Sequence, residues 1–461
     1  MECRSRAAVR SRPWLLCTML AAMMGVSALG CNAVTGLLSR IPGAGLLGGL
    51  GGLGGGLLGG GGGPAGFVLS LLLGSIEPPP NPLENASDAP FSPSADGKFI
   101  VEAPSPLPIA PRLMADLDVG PAESAVGPDG MIYFTEEDTG RVRVFDPINE
   151  KLLDKIVLDL PVNASGQRGL IGIAFSPTGD RMYLTYVRSN TDADTSEINA
   201  AADARVVYYP FADGAVTGAE MVLYTTPAAD PAFPSDINGI GPCLIAPDGL
   251  LYWAHGDRNS ILSTLNLSPG EPAGKVHRMT LDGGVAPGNP FPDNSLFAIG
   301  FRNVTSMAVD PETGLFWSTD VNVGVSDELN LHAPGLFHGW PLIQGLANTD
   351  FESRAAIATL AVYRNPLIDF GATKYDPRGL AVIRGDTYYG PDLEGDVLVG
   401  QSSVVPSVIH RYRVTADVNI IHSLFATLPS DAGRIVSMVR ADPLNRIYTF
   451  TQHRIFRLDP G

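Results

Sequence analysis

Four short segments carry side chains able to hold or transform a small polar ligand. They are Gly166-Gln167-Arg168-Gly169, Asp236-Ile237-Asn238-Gly239, the Arg302-Asn303 pair that closes Phe297–Asn303, and Ser326-Asp327-Glu328-Leu329-Asn330. Glutamine and asparagine amides orient hydroxyls and carbonyls, arginine holds anions in a planar fork, and a carboxylate such as Asp236 can take a proton. Each has an ordinary structural reading beside the functional one. Arg302 and Asn303 can cap a strand and pair with nearby carboxylates, and Gln167 can be a turn residue. Asp327-Glu328 can be a solvated acidic turn or can hold a structural calcium ion. Cys243 follows Gly-Pro and precedes an apolar run, which reads as a buried, unreactive thiol.

The elements that position these segments are repeated hairpins. Ala125–Phe134 ends one strand, turns through Pro128-Asp129-Gly130 and begins a second, aromatic-containing strand. The same pattern recurs at Ile173–Tyr186, Leu244–Trp253 and Met307–Trp317, more loosely at Leu380–Tyr389, and last at Met438–Tyr448. Proline presets φ at the first turn corner, glycine supplies the positive φ, and β-branched and aromatic flanks favour pleated strands. Six copies of one hairpin predict an all-β, six-bladed β-propeller, with each blade a four-stranded sheet carrying inserted loops. A sandwich has no reason to repeat one hairpin six times.

The N-terminal part has a different composition. Arg4, Arg6, Arg10 and Arg12 precede an uncharged run from Pro13 to Gly30, the layout of a signal peptide over residues 1–30. Ala28-Leu29-Gly30-Cys31 resembles a bacterial lipobox, which implies lipidation at Cys31. Residues 31–111 read as a tether, Gly- and Leu-rich over 41–76 and then Pro-rich, with the propeller expected over 115–461. Interior glycines cost a helix roughly 1 kcal/mol each, so the Gly-rich stretch is not a membrane span. With Cys3 and Cys17 in the signal and Cys31 lipidated, Cys243 stands alone, so no intramolecular disulfide is expected. The net charge is −17, and loss of four arginines and one glutamate with residues 1–30 takes it to −20. Such a surface repels phosphate backbones, which excludes nucleic acid as the expected partner. The expected location is outside the cytoplasm, periplasmic or at the cell surface, held to the membrane by the lipid alone.

Between the repeats, several motifs occur in one order. Gly166–Phe175, Ala273–Met279, Asp282-Gly283-Gly284, Pro287–Phe291, Phe297–Asn303, Ser326–Asn330 and Gly339-Trp340-Pro341 together resemble the glucose/sorbosone dehydrogenase family over about residues 115–461. The resemblance implies pyrroloquinoline quinone (PQQ) over the propeller mouth, held by calcium, with a histidine taking a proton from a sugar hydroxyl while hydride passes to the quinone. Carried over by position, Gln167, Arg302, Asn303 and Arg384 would contact the cofactor, Arg302 also reaching the reacting centre. The backbone carbonyls of Asn322 and Val323 would hold calcium, with Asp320 where the family has glutamate. The family's base position holds Asn238, whose amide can orient a hydroxyl but cannot accept its proton near neutral pH. All seven histidines lie elsewhere. His255, before Gly256-Asp257, is one substitute, although it also reads as a hydrogen-bonded loop end; Asp236 is the other. The expected function is an exported PQQ-dependent oxidoreductase acting on a sugar or polyol. The alternatives are a non-catalytic propeller binding carbohydrate or protein, and a calcium-dependent lactone hydrolase.

Overall fold

The computed structural model describes residues 100–461 apart from 229–234, 261–262, 265–269, 292, 348–351, 353–362 and 415–419. The expected signal peptide, Cys31 and the expected tether up to residue 99 lie outside the described residues. Six sheets follow one another along the chain, each with its innermost strand first among the four of its blade, and all are antiparallel apart from Ile100–Glu102, which adds in parallel to the outer edge of the fifth. The first blade is built from Pro121–Val126, Ile132–Glu136, Arg141–Asp146 and Lys151–Asp159, and the second from Leu170–Phe175, Arg181–Ser189, Ala201–Ala212 and Met221–Thr226. The third comprises Ile240–Ile245, Leu251–His255, Lys275–Met279 and Leu296–Ile299. The fourth comprises Val304–Val309, Phe316–Asp320, Glu328–His332 and Ile368–Asp369. The fifth comprises Pro377–Val382, Val397–Gln401, Val408–Val414 and Ile420–Thr427. The sixth has Ile435–Ala441, Arg446–Thr451 and Arg454–Pro460, and its outer strand is Ile109–Asp116 from the other end of the domain.

The innermost strands contact one another in a closed ring, the sixth returning to the first. The fold is therefore a six-bladed β-propeller, and all six hairpin repeats fall at the junction of a first and a second strand. Their turn glycines Gly130, Gly179, Gly249 and Gly314 have φ between 72° and 77°, as the turn requires. The loose fifth copy differs for a visible reason: its connection contains the short helix Asp386–Tyr389 and the 3-10 turn Pro391–Leu393. Ile109–Asp116 also corrects the expected tether boundary. Residues 109–111 pair with Leu458–Pro460, because the last sheet would otherwise keep an open edge.

Six apolar clusters make the core, each lying between two adjacent blades. This is why second strands such as Ile132–Glu136 and Leu251–His255 are buried along their whole length rather than at alternate positions. Trp253 is fully buried between the second and third blades and stacks on His277 at 4.1 Å. Replacing Trp253 by alanine is expected to cost about 3–5 kcal/mol in denaturant unfolding, through the cavity left between blades.

Candidate functional site

Every innermost strand begins at one end of the ring, and its repeat hairpin turns at the other. A residue just before an innermost strand therefore lies at the first end, and a residue just after it lies at the second. A cavity of about 680 Å³ opens at the first end, lined by residues that precede the strands or sit in neighbouring turns. Gln167, Asn238, Arg302 and Asn303 all line it. Sequence reasoning had placed these four in one site, and the fold brings them together.

Their hydrogen bonds form one framework. Gln167 Oε1 accepts the Asn238 backbone N–H at 2.9 Å, and Asn238 Nδ2 donates to Asp257 Oδ1 at 2.9 Å. Asp257 Oδ2 accepts the indole N–H of Trp340 at 3.0 Å. Asn238 sits at φ +52°, a left-handed conformation that asparagine tolerates better than most residues. Burial holds the Asp257 carboxyl above its ordinary range, against the hydrogen bond from Asn238 and the charge of Arg302. The Arg302-Asn303 corner is set by Asp320, whose carboxylate accepts both backbone N–H groups, at 2.9 and 2.6 Å. Burial raises Asp320 to about 6, partly offset by those two N–H bonds. The Arg302 guanidinium bonds the carbonyls of Val321 and Asn322, at 3.0 and 3.3 Å, rather than a carboxylate. Among the described residues the Asn303 side-chain amide has no hydrogen-bond partner, so it is available to a ligand.

Three cationic residues of the cavity were not found from sequence: Lys374, Arg378 and Arg434. With Arg302 they set four positive side chains against one lining carboxylate, Asp376. Asp376 bonds Arg378 at 3.1 Å and Arg434 at 2.5 Å; burial alone would raise it, but the two arginines hold it below the usual carboxylate range. The available signal was position, since Lys374 and Arg434 fall just before the fifth and sixth innermost strands.

Arg384 is not in the cavity. It follows the innermost strand Pro377–Val382, which carries it to the opposite end, where it binds Asp310, Glu312 and Glu394. Those carboxylates stabilise its charge there. The arrangement of Asn322 and Val323 does not fit calcium. The Asn322 carbonyl already accepts Arg302, and the exposed Val323 gives its carbonyl to Gln344 Nε2 at 3.1 Å. Only Asn322 Oδ1 is buried there without a donor, whereas calcium takes six to eight oxygens and is repelled by a guanidinium. No group of three or more His, Cys, Asp or Glu among the described residues is placed to hold a metal.

Asp327 and Glu328 are buried, not a solvated turn. Asp327 accepts the N–H groups of Asn322, Tyr375 and Asp376, pinning the fourth blade to the fifth, and Glu328 accepts from Asn322, Asn330 and Gly345. His255 is fully buried, donates from Nδ1 to the Gly256 carbonyl at 2.8 Å, and is kept neutral by burial and Arg258, so it is the loop-end histidine rather than a base. Asp236 accepts the Ser165 hydroxyl at 2.7 Å and is absent from the cavity lining. Cys243 is a buried free thiol whose ionisation burial suppresses.

Comparison with known proteins supplies a second line of information. The model of a family described as Glucose / Sorbosone dehydrogenase matches residues 119–457. A quinoprotein glucose dehydrogenase B of Acinetobacter calcoaceticus is 27% identical over 246 residues, covering 48% of this chain and 49% of that protein. An aldose sugar dehydrogenase of Escherichia coli is 24% identical over 303 residues, covering 62% and 75%. Among solved structures, the PQQ-bound form of an aldose sugar dehydrogenase from Streptomyces coelicolor superposes with a TM-score of 0.61 at 23% identity, over 77% of this chain and 99% of that one. At that identity the superposition speaks for the fold.

Proposed function

The chain belongs to the glucose/sorbosone dehydrogenase family, and from that premise we propose that it is a PQQ-dependent oxidoreductase of a sugar or another polyol. One observation carries the reading: a cavity with four cationic side chains and one carboxylate, in a protein of net charge −17. PQQ is a tricarboxylate, and Arg302, Lys374, Arg378 and Arg434 match that charge, with planar forks suited to carboxylates at the three arginines. When bound, PQQ supplies an ortho-quinone able to accept hydride. The chain's own groups would do the rest. Asn303 and Gln167 offer amides to polar edges, and Asn238 orients a substrate hydroxyl while Asp257 fixes its amide. Calcium has no part in this reading, for the reason given above.

The test is a titration of the purified chain with PQQ, followed by dye reduction over a panel of aldoses and polyols. A shift of the quinone absorption at micromolar concentration and reduction with at least one substrate are expected. No spectral shift well above micromolar would sink the reading, and lactone hydrolysis without quinone would put a hydrolase in its place. A non-catalytic binding propeller is the second reading, favoured by one fact: Asn238, which lines the cavity, cannot take a proton. Binding of quinone or sugar without oxidation would favour it.

The N-terminal pattern supports export and anchoring through Cys31. No helix of the described residues is long and apolar enough to cross a membrane.

A further inference from the structure

A second cavity, of about 490 Å³, lies at the opposite end of the ring from the cationic one, and the two share no lining residue. It is walled by the later residues of all six innermost strands and by Pro177, Pro247 and Pro311 of the repeat turns. Ile173, Cys243, Met307, Leu380 and Met438, each the fourth residue of its strand, make one apolar level of this wall. Among the described residues only two charged ones line it, Glu123 and Arg440. An apolar cavity of this size with few polar groups is the usual form of a small-molecule site.

Glu123 stands at its inner end. The Ser124 N–H and the Ser437 hydroxyl both donate to Oε1, at 3.0 and 2.5 Å, while Oε2 has no partner among the described residues. No basic side chain among them stands close enough to balance the charge. The residue is half-buried rather than sealed in the core, because the cavity reaches it. Arg440 marks the mouth. Ser437 and Arg440 are three residues apart on Ile435–Ala441, so at about 3.3 Å per residue the carboxyl lies about 10 Å inside. The Arg440 guanidinium has no hydrogen bond or ion pair among the described residues. Arg384 and the carboxylates of Asp310, Glu312 and Glu394 stand around it, two cations against three anions.

We propose that this channel binds a primary alkylammonium ion, its ammonium on Glu123 Oε2 and its chain along the apolar wall. The site is separate from the quinone-dependent reading and stands or falls without it. Three features select this ligand. The carboxylate at the inner end lacks a cation, and an ammonium brings both the charge and the N–H donors. A straight chain suits a channel about 10 Å deep whose methionines adapt to what fills it. The mouth favours entry of a cation, since its acidic residues outnumber its arginines and the whole chain carries −17. An alkyl carboxylate of the same length would meet that acidic rim and, inside, a further carboxyl. Burial raises Glu123 to about 7, against the bonds from Ser437 and Ser124, so the carboxyl is ionised mainly above that pH unless a cation joins it.

The experiment is calorimetric titration of the purified chain with hexylammonium, and with hexanoate and hexan-1-ol as chains of equal length. Hexylammonium is expected to bind one to one with a Kd of roughly 1 mM or tighter. Hexanol should bind about tenfold more weakly, for want of the charge, and hexanoate not at all. From pH 5 to 9 the hexylammonium affinity is expected to rise through about 7 and then level, because only the ionised Glu123 holds the ammonium. Glu123→Gln keeps an acceptor for Ser437; it is expected to lose roughly tenfold or more for hexylammonium and to bind hexanol as wild type does. Arg440→Gln serves if that variant fails to fold, and should hold hexylammonium at least as tightly as wild type. No heat with hexylammonium at about 10 mM overturns the proposal. So does hexanoate binding as tightly, a flat pH profile, an undiminished affinity in Glu123→Gln, or a loss in Arg440→Gln.

Discussion

Arg302→Ala is expected to weaken PQQ binding by about 100-fold, the loss that follows when one charged partner of a buried, charge-assisted contact is removed. Arg302 is the best prepared of the four cationic residues. Asp320 clamps its backbone N–H, and two carbonyls take its guanidinium at 3.0 and 3.3 Å. Its guanidinium carbon also stands 6.0 Å from the centre of the Trp340 ring. An arginine held this way loses little side-chain freedom on meeting an anion. The control is Arg384→Ala, which should leave quinone affinity unchanged, because its partners are Asp310, Glu312 and Glu394 at the far end. Absorption titration of both variants decides it. Equal loss in the two, or no loss at Arg302, would contradict the assignment of this cavity.

Asn238→His is expected to raise oxidation by at least tenfold, and by up to the 10²–10⁴ that a positioned base contributes. The geometry is ready for an imidazole. Asp257 Oδ1 already accepts a side-chain N–H from this position at 2.9 Å and would fix the histidine tautomer, turning the other ring nitrogen toward the cavity. Histidine, like asparagine, is among the residues that tolerate the +52° backbone angle found there. Dye reduction and its pH profile provide the readout, with a new limb in the histidine range. Retained quinone binding with no gain would mean that the substrate hydroxyl does not sit beside Asn238.

Both predictions depend on which end of a blade a residue occupies, and the sequence carried that information unevenly. The hairpins were legible because Pro-Asp-Gly turns and their aromatic flanks are local, each satisfied within about ten residues. Gln167, Asn238, Arg302 and Asn303 were legible too, as they keep short fixed distances from those hairpins. Arg384 was misplaced for a physical reason. It is six residues from Arg378, and at about 3.3 Å per residue that is some 20 Å of strand, the height of a blade. A small offset in a loosely matching repeat thus moves a cation from one face of the propeller to the other.

Other features depended on contacts between distant parts of the chain. Residues 109–111 read as the end of a Pro-rich spacer, yet within Ile109–Asp116 they help to close the sixth blade, because Arg454–Pro460 leaves an edge for that strand. Asp327-Glu328 reads as a polar turn, but both side chains are buried, with Asp327 tying the fourth blade to the fifth. The calcium-binding expectation failed on a side-chain direction that composition does not encode, since the Arg302 guanidinium lies on the Asn322 carbonyl. By itself the sequence determined the six hairpins, the order of motifs and the asparagine at the family's base position, all properties of neighbouring residues. Only the tertiary structure decided the cationic set of Lys374, Arg378 and Arg434 and the removal of Arg384 to the opposite end. Charge at a site is a sum over residues from several blades, and it exists only once the ring has closed.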